Sequence, residues 1–432
     1  MINSKGEIMM KKIIAIALAV SMLFSLTVSV CAANGGSLAN GGSLKSDAKL
    51  SFNSEGNFKI LVLADVQDGD GVKPDEIAFL NSVLDCSQPD LVVFAGDNIC
   101  SAEKEDFDAI LNPLVERGVK FTFVYGNHDG EYAGGDNIRA MMESGSKRLE
   151  ATEYYKDILL SMYQEYDGCL AYDADAELHG CATHNLPILS SDGSKVAFNL
   201  WLVDSGDYAY DALDNQLGYD WVRADQIKWY EDVRDALKEE NGGELVPSMM
   251  FQHIIPKEAV EKIYLNSFVQ LGDLTINFND GTSTTVIPDM TKYDGYIFEK
   301  SCPGISSDGQ WEALVNGGDV LGVVVGHDHV NNFVADIDGV DLIQAPGCTY
   351  QSYYNDMFQG ARVIEINEDN PWEYTTYNIT TSDLVVNEGM EVVEDGERND
   401  FSYNFNYWFF KIFDAIYGAF SYIVKEIFAG VK

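Results

Sequence analysis

Residues 58–67 read FKILVLADVQ, and the way that stretch ends decides the fold. A short apolar run, rich in Ile, Val and Phe, stops abruptly in a polar cluster of metal-ligand type. The pattern recurs at 91–98 (LVVFAGDN), 121–129 (FTFVYGNHD), 245–253 (LVPSMMFQH) and 320–329 (VLGVVVGHDH). Between the first three runs, 74–86 and 104–117 carry apolar residues at helical spacing, and Pro74, Asp75 and Glu76 suit a helix start. Strand, helix and strand in this rhythm predict βαβ units with buried, largely parallel strands. Open α/β sheets place ligand sites beyond the carboxyl ends of their strands, so several loops can converge on one point.

Further along the chain, 147–164 and 223–240 read as helices and 197–203 as a strand, while 131–190 is otherwise irregular. The Thr-, Asn-, Asp- and Gly-rich stretch 265–295 suits a hairpin or insertion at the rim of the site. The expected organisation is a signal peptide at 1–33, a flexible linker at 34–50, a catalytic domain at 51–380, an acidic linker at 381–400 and an amphipathic helix at 401–432. In that helix Lys411, Asp414, Gly418, Ser421 and Lys425 form one narrow polar stripe. Three roles are open to it: docking on the catalytic domain, self-association, or peripheral membrane contact.

The compartment follows from the N-terminus. Lys11 and Lys12 precede an apolar run from Ile13 to Val30 that closes in Cys31-Ala32-Ala33, the form of a secretory leader. Export, to the medium or to a surface, is therefore expected. The formal net charge of -41 argues against nucleic acid or an anionic membrane as main partner, because both need basic patches. Six cysteines remain outside the leader, and Cys169 with Cys181 is the natural local pair for an exported chain.

Four of the six histidines fall in the clusters that end the strands. Scattered histidines have bland explanations, but concentration beside Asp and Asn at strand ends does not follow from packing. His179 and His184 lie outside the clusters and read as packing residues. The clusters supply a carboxylate able to bridge, Asp97, and neutral imidazole or amide ligands, a set suited to two metal ions roughly 3.5–4 Å apart.

In order, D-x-[H/Q], GD, GNH[D/E], H and GHxH resemble the calcineurin-like metallophosphoesterase superfamily. GHDHVNNF, the preceding SCPG and the later QGARVIEI resemble its purple-acid-phosphatase-like branch. The resemblance spans about 58–370. It implies an α/β four-layer sandwich, two mixed sheets flanked by helices, here with the amphipathic C-terminal helix added. It also implies hydrolysis of phosphate monoesters, on a small molecule or phosphoprotein, by attack of a metal-bridging hydroxide; the alternatives are a phosphodiesterase of the same fold and, through Gln67, a catalytically weak metal- and phosphate-binding surface protein. Asp65 and His329 would bind the first metal and Asn127, His253 and His327 the second, with Asp97 bridging. His128 would contact the phosphate and protonate the leaving oxygen. Asp129 has a turn-forming role open to it, and Tyr350, Tyr353 and Tyr354 are candidates for a substrate wall.

One position departs from the pattern. Many members have histidine where this chain has Gln67. Either Gln67 ligates a hard ion such as Mn, or water completes the site, or Cys100, in the slot where purple acid phosphatases place a tyrosine, supplies a thiolate that favours Zn or Fe.

Overall fold

The computed structural model describes residues 49–69, 71–266, 275–277, 283–392 and 400–429. The expected leader, nearly all of the first linker and residues 393–399 lie outside the described residues. In chain order the strands are β1 (Leu50–Ser51), β2 (Asn57–Leu63), β3 (Leu91–Ala95), β4 (Lys120–Val124), β5 (His184–Leu189), β6 (Val196–Leu202), β7 (Tyr208–Tyr210), β8 (Gln216–Tyr219), β9 (Ser248–Phe251), β10 (Tyr264–Asn266), β11 (Thr275–Asn277), β12 (Ser283–Pro288), β13 (Asp294–Ile297), β14 (Val320–Val325), β15 (Asn331–Ile337), β16 (Val340–Gln344), β17 (Gly360–Asn367) and β18 (Tyr374–Thr380). The helices of seven residues or more are α1 (Pro74–Ser87), α2 (Lys104–Arg117), α3 (Asp129–Glu143), α4 (Arg148–Tyr163), α5 (Ala224–Glu240), α6 (Lys257–Ile263), α7 (Gln310–Gly317) and α8 (Asp400–Ala429).

Two mixed sheets dominate, ordered β18-β17-β2-β3-β4 and β1-β5-β6-β9-β14-β16-β15-β13. In the first, β2, β3 and β4 are parallel; in the second, β6, β9, β14 and β16 are. Alternation along the strands stacks the layers. Ile60 and Val62 of β2 join Leu200, Met249 and Val324 in a core between the sheets. Leu61 and Leu63 point the other way, into a core with Phe79, Phe107 and Leu159 from α1, α2 and α4. On the far side, Trp201, Met250 and Val323 pack on Tyr230, Val260 and Leu314 of α5, α6 and α7. Helices, sheet, sheet, helices is the four-layer sandwich expected. The hairpin of β11 and β12 falls where 265–295 predicts one.

Three expectations need correction. The helix α3 arises where the sequence looked irregular, because Gly134 and Gly135 dilute its pattern and Gly135 breaks the helix with φ 46°. The first half of the acidic linker packs instead of being solvated: Leu384 is fully buried and Met390 nearly so. Thr380 caps this segment by accepting from the Asp383 N–H. No disulfide forms among the described cysteines, and Cys181 instead donates its thiol to Asp157 at 3.4 Å.

The C-terminal helix α8 docks by its aromatic side. Tyr417 and Phe410 lie 4.9 and 5.6 Å from the Tyr296 ring, and Phe410 lies 5.5 Å from Phe358. The polar stripe runs along the flank of that contact, with Lys411 3.7 Å from Asp383, Tyr296 donating to Asp414, and Lys425 paired with Asp294. Phe405, Trp408, Ile412, Ile416 and Ile423 face outward, each more than half exposed. Among the described residues no helix is long and apolar enough to cross a membrane.

Candidate metal centre

Five parallel strands end at one place, and each delivers a polar side chain there. Asp65 follows β2, Asp97 follows β3, Asn127 follows β4, His253 follows β9, and His327 and His329 follow β14. All six are buried, at 8% exposure or less. The two sheets are stitched together at this point. Within the first sheet the Asp65 N–H donates to the Gly96 carbonyl at 3.0 Å, and across the sheets the His327 N–H donates to both Asp65 carboxylate oxygens at 3.1 and 3.0 Å.

The backbone is strained at the site. Of eight non-glycine residues with positive φ among the described residues, Asp65, Gln67, Asp97 and His327 are four. Such conformations persist only where the surroundings force them, and they concentrate at functional sites. Gly96 and Gly126 are required by close approach: a Cβ on the first would strike the His253 ring and on the second the Asp97 carboxylate.

Orientation is set by a supporting shell. The Nδ1 of His253 contacts the Ala95 carbonyl at 2.9 Å and that of His329 the Tyr353 carbonyl at 2.7 Å, which turns both Nε2 atoms inward. His253 Nε2 then lies 3.3 Å from Asp97 Oδ2, and His329 Nε2 lies 3.5 Å from Asp65 Oδ1. His327 Nδ1 lies 3.2 Å from His253 Nε2. Asp129 is more than a turn former. Its carboxylate accepts the N–H groups of Gly126, Asn98 and Asp97 at 2.7, 2.9 and 3.0 Å, locking the β3 and β4 loops to each other.

The donor set fits metal ions. Asn127 Oδ1 and His327 Nε2 are buried without a hydrogen-bond partner, a costly state that a cation would relieve. Candidate ligand atoms of Asp97, His253 and His327 all lie within 4.8 Å of one another. Electrostatics point the same way. Burial opposes charge on Asp97, yet the facing His253 overrides it and holds the carboxyl far below the usual range. Burial likewise disfavours charged His253, but Asp97 and then Asp65 push it up to about 10. Asp65 shifts the other way: burial outweighs the facing His329 and His253 and raises its carboxyl above the usual range. His128 is raised as well: burial lowers it, and Glu131 at 3.4 Å together with Asp97 outweighs that.

Gln67 is at the site. Its amide N–H donates to Asp97 Oδ2 at 2.9 Å, so it braces the central carboxylate. Cys100 is outside the metal-capable group, and burial followed by the carboxylates of Asp129 and Asp97 drives its thiol well above the usual range. His179 pairs with Asp220 at 3.0 Å, and His184 is fixed between Thr122 and the Ala182 carbonyl at 2.8 and 2.7 Å, so both are packing residues. Of the candidate wall, Tyr353 stacks on His329, whereas Tyr350 packs inward against Phe79.

The calcineurin-like phosphoesterase family matches residues 58–331, a span that contains Asp65, Gln67, Asp97, Asn127, His128, His253, His327 and His329. The chain belongs to that family. Among similar proteins, the probable inactive purple acid phosphatase 14 of Arabidopsis thaliana is 30% identical over 338 residues, covering 71% of this chain and 74% of its own. The probable inactive purple acid phosphatase 29 of the same plant is 27% identical, covering 71% and 75%. The phosphatase DCR2 of Saccharomyces cerevisiae is 28% identical over 228 residues, covering 48% of this chain and 36% of its own. For a calcineurin-like phosphoesterase the motif order finds the loops that converge here. It does not find Tyr208, whose hydroxyl accepts from Asn127 Nδ2 at 2.9 Å, because β7 carries no motif and reaches the site only through tertiary packing.

Proposed function

We propose that this chain is an exported phosphatase that hydrolyses phosphate monoesters with two metal ions held by Asp65, Asp97, Asn127, His253, His327 and His329. The observation that carries this reading is the convergence of those side chains with buried, unpartnered Asn127 Oδ1 and His327 Nε2. The ions, identity Mn, Zn or Fe, supply Lewis-acid charge for the phosphoryl oxygens and a nucleophile at neutral pH. The protein supplies the rest. Asp97, braced by Gln67 and by the His128 N–H at 2.7 Å, fixes the centre between the two ligand sets. His128, whose Nδ1 lies 3.4 Å from Glu131, is placed to protonate the departing alcohol. Export is supported by the leader-like residues 1–33, and the outward face of α8 supports attachment to a surface or to a second copy.

The names of the two plant relatives support a second reading, a metal- and phosphate-binding protein with little turnover. The deciding experiment loads full-length protein with Mn, Zn or Fe and follows mono- and diester hydrolysis. Monoester turnover exceeding diester turnover supports the phosphatase. Stoichiometric metal with no hydrolysis of either establishes the binding protein, and diester preference makes the chain a phosphodiesterase.

A further inference from the structure

Four tyrosines from three separate elements surround the ligand loops. Tyr132, on α3, stacks on His128 with centroids 4.4 Å apart and 9° between planes, and is 50% exposed. Tyr353, after β16, stacks on His329 at 4.1 Å and 2°, and is 53% exposed. From the β7–β8 hairpin, Tyr219 meets His327 edge-on at 4.3 Å and stacks on Tyr208 at 5.6 Å. The charged groups among them are acids. Glu131 contacts His128, and Glu299 accepts the Tyr353 hydroxyl at 3.0 Å and the Val330 N–H at 2.9 Å. Of the nearby cations, Arg148 lies 3.7 Å from Glu131 and opposes that carboxylate, and Lys257 donates to the Ile305 carbonyl at 2.9 Å, so the collar's acidic character rests on Glu299.

We propose that this tyrosine-and-glutamate collar selects phosphate monoesters whose alcohol carries an ammonium cation. The proposal rests on the phosphatase reading above. A single phosphoryl group would be neutralised at the ligand set, and whatever extends from it meets π-faces and carboxylates. Tyrosine faces attract ammonium groups, and the Glu299 carboxylate beside Tyr353 adds Coulomb attraction. A second phosphate in that position would meet like charge instead, on a chain whose net charge is already -41.

The test uses full-length, Mn-loaded protein and two non-hydrolysable phosphonates of matching shape. One is 2-(trimethylammonio)ethylphosphonate and the other its uncharged isostere, 3,3-dimethylbutylphosphonate. Calorimetry is expected to show the cationic ligand binding ~10-fold more tightly, the scale of one or two partly desolvated cation–π contacts. Glu299→Gln and Tyr353→Leu should each reduce that ratio at least ~3-fold, and choline phosphate should exceed 3,3-dimethylbutyl phosphate in kcat/KM through KM. A ratio near one in both binding and turnover overturns the collar, and p-nitrophenyl phosphate hydrolysis in the same protein would leave the phosphatase reading standing. A retained binding ratio without hydrolysis of any ester supports the collar and sinks the phosphatase.

Discussion

Two buried polar clusters in this protein have opposite characters. One is the centre formed by Asp65, Asp97, His253 and His327. The other is Lys156, whose ammonium lies 3.0 Å from Asp204 and 2.5 Å from Asp207, with all three residues at 2% exposure or less. The second is closed. Its charges are opposed within the chain, and Asp204 also takes the N–H groups of Cys181 and Gly206 at 2.9 Å each. The first is open, with carboxylates facing imidazoles and left-handed backbone at three of its four residues, Asp65, Asp97 and His327. Burial alone therefore does not distinguish function from structure. What distinguishes them is whether the chain opposes its own charges: Lys156 answers both Asp204 and Asp207, whereas Asp65 and Asp97 face only imidazoles.

The sharpest way to break this contrast is at the open cluster. Asp97→Asn should lower monoester turnover by ~10³-fold or more while the folded baseline survives, exceeding the roughly 10–100-fold typical of losing a supporting residue. Steady-state kinetics with circular dichroism checks it, and retained turnover would end the two-metal reading. Lys156→Met makes the reverse change. It leaves two carboxylates buried without their cation and should cost about 3–5 kcal/mol of unfolding free energy in urea. A loss below about 1 kcal/mol would show that the cluster is not the closed unit described.

The pH dependence of stability extends the contrast to a lone buried group. Burial, only partly countered by the Ala182 carbonyl, lowers His184 to about 4. Its folded value lies below the unfolded value near 6.5, so the unfolded chain takes up the proton first. The contribution is complete above about pH 6.5 and is lost as pH falls toward 4, amounting to at most about 3 kcal/mol. Urea titrations of metal-free protein at both ends of that window, beside His184→Gln, would measure it. An equal pH dependence in the variant would remove His184 as the cause.

The smallest effect concerns Gln67. Gln67→His should tighten zinc binding by about tenfold if the side chain at this position reaches a metal, since imidazole is the better ligand for that ion. Unchanged affinity, read by competition with a chromogenic chelator, would assign Gln67 only to bracing Asp97.

Much of this was legible beforehand because strand-end chemistry is local. A buried strand followed at once by Asp, Gly-Asp, Gly-Asn-His or Gly-His-x-His announces both the strand and its site. Asp129 was visible in the same motif, but its clamp on the neighbouring loop was not. That role depends on β3 and β4 being adjacent, which no short stretch encodes. The acidic segment after Thr380 misled for a related reason. Its composition is solvated, yet two apolar residues, Leu384 and Met390, find a place in the core.

By itself, then, the order of residues determined the layered α/β fold, the family and the strand-end loops whose polar side chains converge, since each rests on hydrophobic period and on motifs a few residues long. Tertiary structure alone decided which atoms face one another. The left-handed turns at Asp65 and Asp97, the tyrosines drawn from α3, the β7–β8 hairpin and the β16 loop, and the side on which α8 docks all depend on packing between segments far apart in the chain, where sequence spacing carries no distance information.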